Sequence, residues 1–223
     1  MNKAVYLCDR ETPEFQSHRA AIDIVCAGDS ITGWNNFGPV PFWPLRTYPE
    51  FLQDLCGHLG RRVANGGIAG EVSPNGIGQV EDYLALFPNA GIFVIGYGTN
   101  DLGMWPRVEG TSPRIIENMR AMVTTVQENG RRPTVLNVPP ANGSRFPREV
   151  ADELRRIRDY HNGRLAEFCR ESRVPLIDLA AKLRDEHFAD ELHPNDEGAR
   201  KIAEAVYAVL AQLIQDEKTD VPS

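Results

Sequence analysis

The sequence predicts a single α/β domain built on a doubly wound parallel sheet. Short, β-branched apolar runs alternate about five times with longer segments of helical periodicity. The apolar runs are almost continuously hydrophobic, as the strands of a parallel sheet covered by helices on both faces require. With 223 residues, of which 42% are hydrophobic and 25% charged, the chain is long enough for one domain with a sizeable core.

Five segments are predicted as strands because each is a short run rich in apolar and β-branched residues. In chain order they are IDIVCAG from Ile22, RRVAN around Val63, GIFVIGYG from Gly91, PTVLNVPP from Pro133 and VPLIDL from Val174.

Helices are predicted where apolar residues recur every three or four positions. They cover residues 49–59, 77–87, 115–126, 148–169 and 199–214, and Asn195 is expected to cap the last of them. The irregular stretches 34–47, 66–76, 100–113 and 139–147 each follow a predicted strand. They therefore belong at the carboxyl edge of the sheet, where open α/β sheets bind ligands.

The ends of the chain differ from its middle. We expect residues 1–20 to form a loose N-terminal extension, residues 21–215 the folded domain and residues 216–223 a flexible tail.

Composition and charge exclude several functional classes. The formal net charge is −7, and basic residues cluster only in short pairs, so a nucleic-acid-binding face is not expected. The N-terminus lacks the apolar region of a signal peptide, and no segment approaches the length of a membrane span, which predicts a cytoplasmic protein. Cys8, Cys26, Cys56 and Cys169 lie far apart and are expected to be free thiols.

Four short polar motifs stand beside the predicted strands or near the C-terminus. They are GDS at 28–30, NGGIAG at 65–70, GTND at 98–101 and DELHP at 190–194. The first three leave their strands on the same side of the sheet, and a right-handed crossover can return the fourth to that edge. We therefore expect the four motifs to converge.

Together these motifs contain the groups needed for acyl transfer. Ser30 is expected both to cap a strand-to-helix turn and to act as a nucleophile, which requires a base to take its proton. His193 is a suitable base, and Asp190 can orient its imidazole ring. The backbone N–H groups of Ser30 and Gly70 and the side-chain amide of Asn100 are the predicted oxyanion donors.

In this order the four motifs resemble the SGNH branch of the GDSL esterase/lipase family, from about Cys26 to Gly198. The resemblance implies a flavodoxin-like sheet of about five parallel strands, a serine nucleophile and no metal or organic cofactor. Many members carry Gly-Asp after the second motif, whereas Glu71 follows Gly70 here. This departure leaves Gly67 as an alternative oxyanion donor.

A metal site is the weaker interpretation of the C-terminal motif. His187, Asp190 and His193 are spaced three residues apart, but the spacing is not that of a zinc-binding H-E-x-x-H helix, and no second acidic cluster accompanies it.

The loops also carry aromatic residues that bear on the substrate. Trp34 and Trp105 are candidate substrate-binding residues, although packing of the loops explains them equally well. The leading hypothesis is a serine esterase acting on a small-molecule ester with a short acyl group, with carbohydrate acetyl esters as one candidate class. The alternatives are a non-catalytic protein that binds a sugar or acylated ligand, and a thioesterase or acyltransferase that uses the same residues.

Overall fold

The computed structural model describes residues 5–6, 19–33, 46–104 and 108–219. Its strands are β1 (Val5–Tyr6), β2 (Ile24–Gly28), β3 (Val63–Gly67), β4 (Ile92–Gly96), β5 (Arg132–Leu136) and β6 (Leu176–Ile177). Within the described residues these strands form one sheet in the order β1-β3-β2-β4-β5-β6, and every pair is parallel.

Helices connect these strands and follow the last of them. They are α1 (Ser30–Gly33), α2 (Tyr48–Gly57), α3 (Ser73–Leu86), α4 (Thr99–Met104), α5 (Val108–Glu128), α6 (Arg148–Glu171), α7 (Leu179–Lys182) and α8 (Asp196–Thr219). Asn195 caps α8 as expected, because its Oδ1 accepts the Gly198 N–H at 3.0 Å.

The sheet separates two hydrophobic cores. Alternate residues of each strand face opposite sides, so Val25 packs toward α3, α5 and α6 while Ile24 packs toward α2 and α8. Both faces are covered, which explains why the strands are almost continuously apolar. The predicted doubly wound α/β fold is confirmed.

The strand order places a topological switch point at β2. Ile24 pairs with Val63 of β3 on one side and with Ile92 of β4 on the other. The chain leaves β2 for β3 and then crosses to β4 on the opposite side of β2. Loops that follow these three strands diverge at the carboxyl edge, which opens the crevice where such folds bind ligands.

Some elements differ from the sequence prediction. Residues 100–113 were expected to be irregular, but α4 and the start of α5 occupy most of them, with Pro113 inside α5. A proline removes one N–H from the helical ladder, and the packing of α5 against the sheet outweighs that loss. Val5–Tyr6, within the expected extension, pairs with β3, and α8 continues to Thr219.

Candidate active site

The turn that follows β2 sets the position of Ser30. Helix α1 begins at Ser30, and the preceding Asp29 caps it by accepting the Ile31 N–H on Oδ1 at 2.9 Å. The expectation that Ser30 itself caps the turn is therefore wrong. Because Asp29 satisfies the helix end, the Ser30 hydroxyl is available for another partner.

That partner is His193. The Oγ atom of Ser30 lies 2.9 Å from Nε2 of His193, although 163 positions separate the two residues. On the other side of the ring, Nδ1 lies 3.0 Å from Oδ2 of Asp190. The three side chains form a continuous hydrogen-bonded line from hydroxyl to imidazole to carboxylate, which is the geometry of nucleophile, base and orienting acid.

The Asp190 carboxylate is held by its own loop. Its Oδ1 accepts the N–H groups of Leu192 and His193, each at 2.7 Å. Partial burial acts to raise the pKa of Asp190, but these two N–H groups and the His193 ring outweigh burial and lower the pKa below its usual value. Asp190 therefore stays ionised and accepts a hydrogen bond from Nδ1 of the ring.

Asn142 braces this loop and was not anticipated from the sequence. Its side chain is buried, its Nδ2 donates to the Asp190 carbonyl at 3.2 Å, and its backbone N–H donates to the Glu191 carbonyl at 2.9 Å. The loop after β5 and the loop before α8 are therefore joined. The only signal in the sequence was the position of Asn142 in a loop predicted at the carboxyl edge of the sheet.

Two of the predicted oxyanion donors lie beyond the ends of β3 and β4, Gly70 in the loop after β3 and Asn100 in α4. Gly70 is exposed, adopts a φ of +80°, and has no neighbour within 4 Å of the position that a Cβ would occupy. The Nδ2 atom of Asn100 donates to the Glu71 carbonyl at 2.8 Å, which brings Asn100 against the residue that follows Gly70. An amide has two N–H groups, so Asn100 can also donate to a substrate.

These loops are also tied to the Ser30 turn and to each other. The Ile68 N–H donates to the Gly28 carbonyl at 2.9 Å, so the second motif lies directly beside the first. Asp101 accepts both the hydroxyl and the N–H of Ser73, which anchors the start of α3 to the third motif. The four motifs thus converge at one edge of the sheet.

Gly67, the alternative donor, has a different environment. Its N–H donates to Oδ1 of Asn65 at 3.0 Å. A Cβ at this position would lie 2.2 Å from the Gly33 nitrogen, so Gly67 allows β3 to pack closely against α1. This arrangement favours Gly70 over Gly67 as an oxyanion donor.

The other candidate residues are His187, from the alternative metal site, and the two tryptophans. His187 is buried and its Nδ1 accepts the Arg184 N–H at 2.8 Å, whereas His193 faces Ser30. Among the described residues, no group of three His, Cys, Asp or Glu side chains is arranged to hold a metal ion. Trp34 and Trp105 lie outside the described residues.

A helix can cross a membrane only if it is long and apolar enough to span the hydrocarbon core. Over the described ranges, none is both long enough and apolar enough to cross a bilayer.

Solved structures share this fold. A member of the lipolytic protein G-D-S-L family from Veillonella parvula superposes with a TM-score of 0.68 at 20% identity, covering 86% of this chain and 99% of that one. An acetyl xylan esterase, AlAXEase, gives a TM-score of 0.65 at 19% identity, with coverages of 85% and 100%. A carbohydrate acetylesterase family member from Sinorhizobium meliloti gives 0.65 at 17% identity, with coverages of 87% and 99%.

The amino-acid sequence also shows the family to which the chain belongs. No curated protein sequence matches the chain. The model of the GDSL-like Lipase/Acylhydrolase family matches residues 26–201, which include all four motifs and most of the chain. The protein therefore belongs to the GDSL-like lipase/acylhydrolase family and is a hydrolase that acts on ester bonds.

Proposed function

We propose that the protein is a serine esterase that hydrolyses carboxylic esters through an acyl-enzyme on Ser30. The observation that carries this proposal is the 2.9 Å contact between Ser30 Oγ and His193 Nε2, with Asp190 on the far side of the ring. A serine hydroxyl needs an adjacent base to become nucleophilic, and this geometry supplies one.

In the first half of the reaction, Ser30 Oγ attacks the ester carbonyl carbon while His193 Nε2 takes the hydroxyl proton. The carbonyl π electrons move to oxygen, and the resulting oxyanion accepts hydrogen bonds from the N–H groups of Ser30 and Gly70 and from Asn100. When the tetrahedral intermediate collapses, the C–O bond to the alcohol breaks and His193 returns the proton to the departing oxygen.

In the second half, water attacks the acyl-enzyme carbonyl and gives a proton to His193. Collapse of this second intermediate breaks the bond to Ser30 Oγ, which recovers the proton, and the carboxylic acid is released. Throughout, Asp190 holds the ring with Nδ1 protonated and stabilises the imidazolium that forms in each half.

For the substrate, we propose an ester with a short acyl group, with carbohydrate acetyl esters as the leading class. Two structurally similar proteins are an acetyl xylan esterase and a carbohydrate acetylesterase family member. Trp34 and Trp105 are proposed to contact the substrate, because indole rings stack well on sugar faces. We also propose a cytoplasmic location, which suits buried free thiols such as Cys26, Cys56 and Cys169.

The alternatives use the same site. A thioesterase or acyltransferase would form the same acyl-enzyme and differ only in the leaving group or the acceptor. Membership of an acylhydrolase family argues against a non-catalytic binding protein, and a binding protein has no need of a base beside Ser30.

The first test is hydrolysis of p-nitrophenyl acetate, butyrate and octanoate by the wild type and by Ser30→Ala. We expect turnover of the acetate to fall on the order of 10⁴-fold or more in the variant. The ester that the wild type hydrolyses fastest shows the length of acyl chain that the site accepts. Equal, slow rates for both proteins would reject Ser30 as the nucleophile for these esters.

A second assay addresses the substrate class. Release of acetate from acetylated xylan is expected from the wild type and is expected to weaken in Trp34→Ala and Trp105→Ala. Unchanged release by both variants would remove the proposed sugar-binding role of the tryptophans, while p-nitrophenyl acetate hydrolysis would report separately on the catalytic residues.

A further inference from the structure

Glu71 lies at the centre of a hydrogen-bond network beside the predicted oxyanion donors. Its Oε1 accepts the Val72 N–H at 3.1 Å and Nδ2 of Asn75 at 2.6 Å. Its Oε2 accepts Nε2 of Gln79. Residues of the N-cap and the first two turns of α3 therefore bind both carboxylate oxygens and fix the side chain.

The network continues into the sheet. The hydroxyl of Tyr97 donates to Oε1 of Gln79, which turns the other end of the Gln79 amide toward Glu71. Tyr97 is buried at the end of β4, and burial raises its pKa well above the usual value, so the phenol remains a hydrogen-bond donor over the range of ordinary assays.

The network closes on Asn100. The carbonyl oxygen of Glu71 accepts a hydrogen bond from Nδ2 of Asn100 at 2.8 Å, and Asn100 lies at the start of α4, three residues after Tyr97. Tyr97, Gln79, Glu71 and Asn100 thus form a ring that the backbone between Tyr97 and Asn100 closes. The ring fixes the direction in which the Glu71 carbonyl points, and this carbonyl orients the Asn100 amide.

We propose that Glu71 is a positioning residue for the oxyanion donors, holding Asn100 through its carbonyl and the adjacent Gly70 through the backbone. This inference rests on the proposed function, because it assigns Glu71 a role in stabilising the oxyanion. We expect an aspartate, which is one methylene shorter, to lose the contact with Gln79, because the Glu71 carboxylate binds Gln79 and Asn75 at the same time. On this proposal Glu71, which stands where many family members have Asp, helps to position the oxyanion donors.

The test is a double-mutant cycle measured with p-nitrophenyl acetate. Glu71→Ala is expected to lower kcat by about 10- to 100-fold, with little change in KM, because a small displacement of a catalytic donor weakens stabilisation of the transition state. In an Asn100→Ala background the same substitution is expected to lower kcat by less than about threefold, because the donor through which Glu71 acts is already missing.

Controls separate positioning from a general loss of structure. Glu81→Ala removes a carboxylate from an exposed position on α3, which follows Glu71, and is expected to leave kcat unchanged. Glu71→Asp is expected to lower kcat to about the same extent as Glu71→Ala. If Glu71→Ala does not fold, Gln79→Met cuts the ring between Tyr97 and Glu71 while leaving the carboxylate in place, and is expected to lower kcat in the same direction.

The outcomes are distinguishable. Equal losses from Glu71→Ala in the wild-type and Asn100→Ala backgrounds would overturn the inference, as would full activity in both Glu71→Ala and Gln79→Met. If Ser30→Ala and Asn100→Ala both retain wild-type turnover, the proposed function itself fails, irrespective of Glu71.

Discussion

The imidazole of His193 and the hydroxyl of Ser30 meet across the carboxyl edge of the sheet, with Nε2 and Oγ 2.9 Å apart. Ser30 is fixed by the turn after the central strand β2, and His193 belongs to a loop that precedes the last helix. Asn142 links the loop of His193 to the loop after β5 and so helps to hold the two residues in contact.

Asp190→Asn tests the orienting role of the carboxylate. Asparagine can still accept the Leu192 and His193 N–H groups through Oδ1, so we expect the loop to keep its shape. Its amide N–H groups would face Nδ1 and favour the wrong tautomer of His193. We expect kcat to fall by about 10³- to 10⁴-fold, measured with p-nitrophenyl acetate, while the melting temperature changes little. A variant with wild-type turnover would exclude Asp190 from the reaction.

Gly70→Ala and Gly67→Ala are expected to fail in different ways. At Gly70 the added methyl enters open space, but the φ of +80° is strained for alanine, so we expect a loss of about 1 kcal/mol in the free energy of unfolding. At Gly67 the methyl would lie 2.2 Å from the Gly33 nitrogen, which requires backbone movement and is expected to cost about 3 kcal/mol. Urea unfolding measures both, and equal losses would contradict the assigned environments.

Asp29→Asn is expected to change the pH dependence of stability. Complete burial raises the pKa of Asp29 to about 7 in the folded protein, against an ordinary value of 3.8. Between these values the unfolded chain has lost its proton while the folded chain keeps it, so the stabilisation from Asp29 is lost as pH rises through about 7. Asparagine does not titrate and can still cap Ile31.

The measurement is urea unfolding of wild type and Asp29→Asn at several values between pH 4 and pH 8. Relative to the wild type, the variant is expected to gain stability with rising pH, by up to about 4 kcal/mol across this range. A difference that stays constant with pH would show that Asp29 does not change its protonation state on folding.

His161→Gln is expected to change the pH dependence of stability in the direction opposite to Asp29→Asn, over a similar pH range. His161 is buried with Nδ1 at 3.0 Å from the Ser112 hydroxyl, and burial, followed by the charge of Arg164, lowers its pKa from 6.5 to about 4. Below pH 6.5 the unfolded chain gains a proton that the folded chain does not, so the wild type loses stability as pH falls from about 6.5 to 4. Glutamine carries no such charge.

The advantage of the wild type over His161→Gln is therefore expected to shrink on acidification, by up to about 3 kcal/mol. Asp29 and His161 change the free energy of unfolding in opposite directions as pH rises, so the wild-type dependence on pH does not separate their contributions. Each variant must therefore be compared with the wild type at every pH. A pH-independent difference for His161→Gln would mean that the pKa of His161 is the same in the folded and the unfolded chain.

Much of the fold was predictable because it follows from local pattern. The apolar runs at β2, β4 and β5 are buried on both faces, and the periodic residues of α5 and α8 form the helical sides of the two cores. Strand β1 could not be predicted, because two residues carry no periodic signal and their pairing depends on a distant partner.

In the candidate site, too, local motifs were predictable, whereas contacts between distant loops were not. Ser30, Asn100 and His193 could be predicted as site residues because each belongs to a short motif beside a strand end or near the C-terminus. The roles of Asn142 and Glu71 depend on carbonyl groups in other loops, and a hydrogen bond to a backbone carbonyl leaves no trace in the partner's side chain. Capping by Asp29 was missed because Ser and Asp are both good caps, and only the backbone shows where α1 begins.

Strand β1 has a consequence for how the protein is handled. Val5 and Tyr6 pair with Ala64 and Asn65 and cover the outer edge of β3. An uncovered edge strand recruits strands from other molecules. A protein shortened by its first 20 residues would keep the catalytic residues yet expose that edge, and its first failure would be aggregation during purification rather than loss of chemistry.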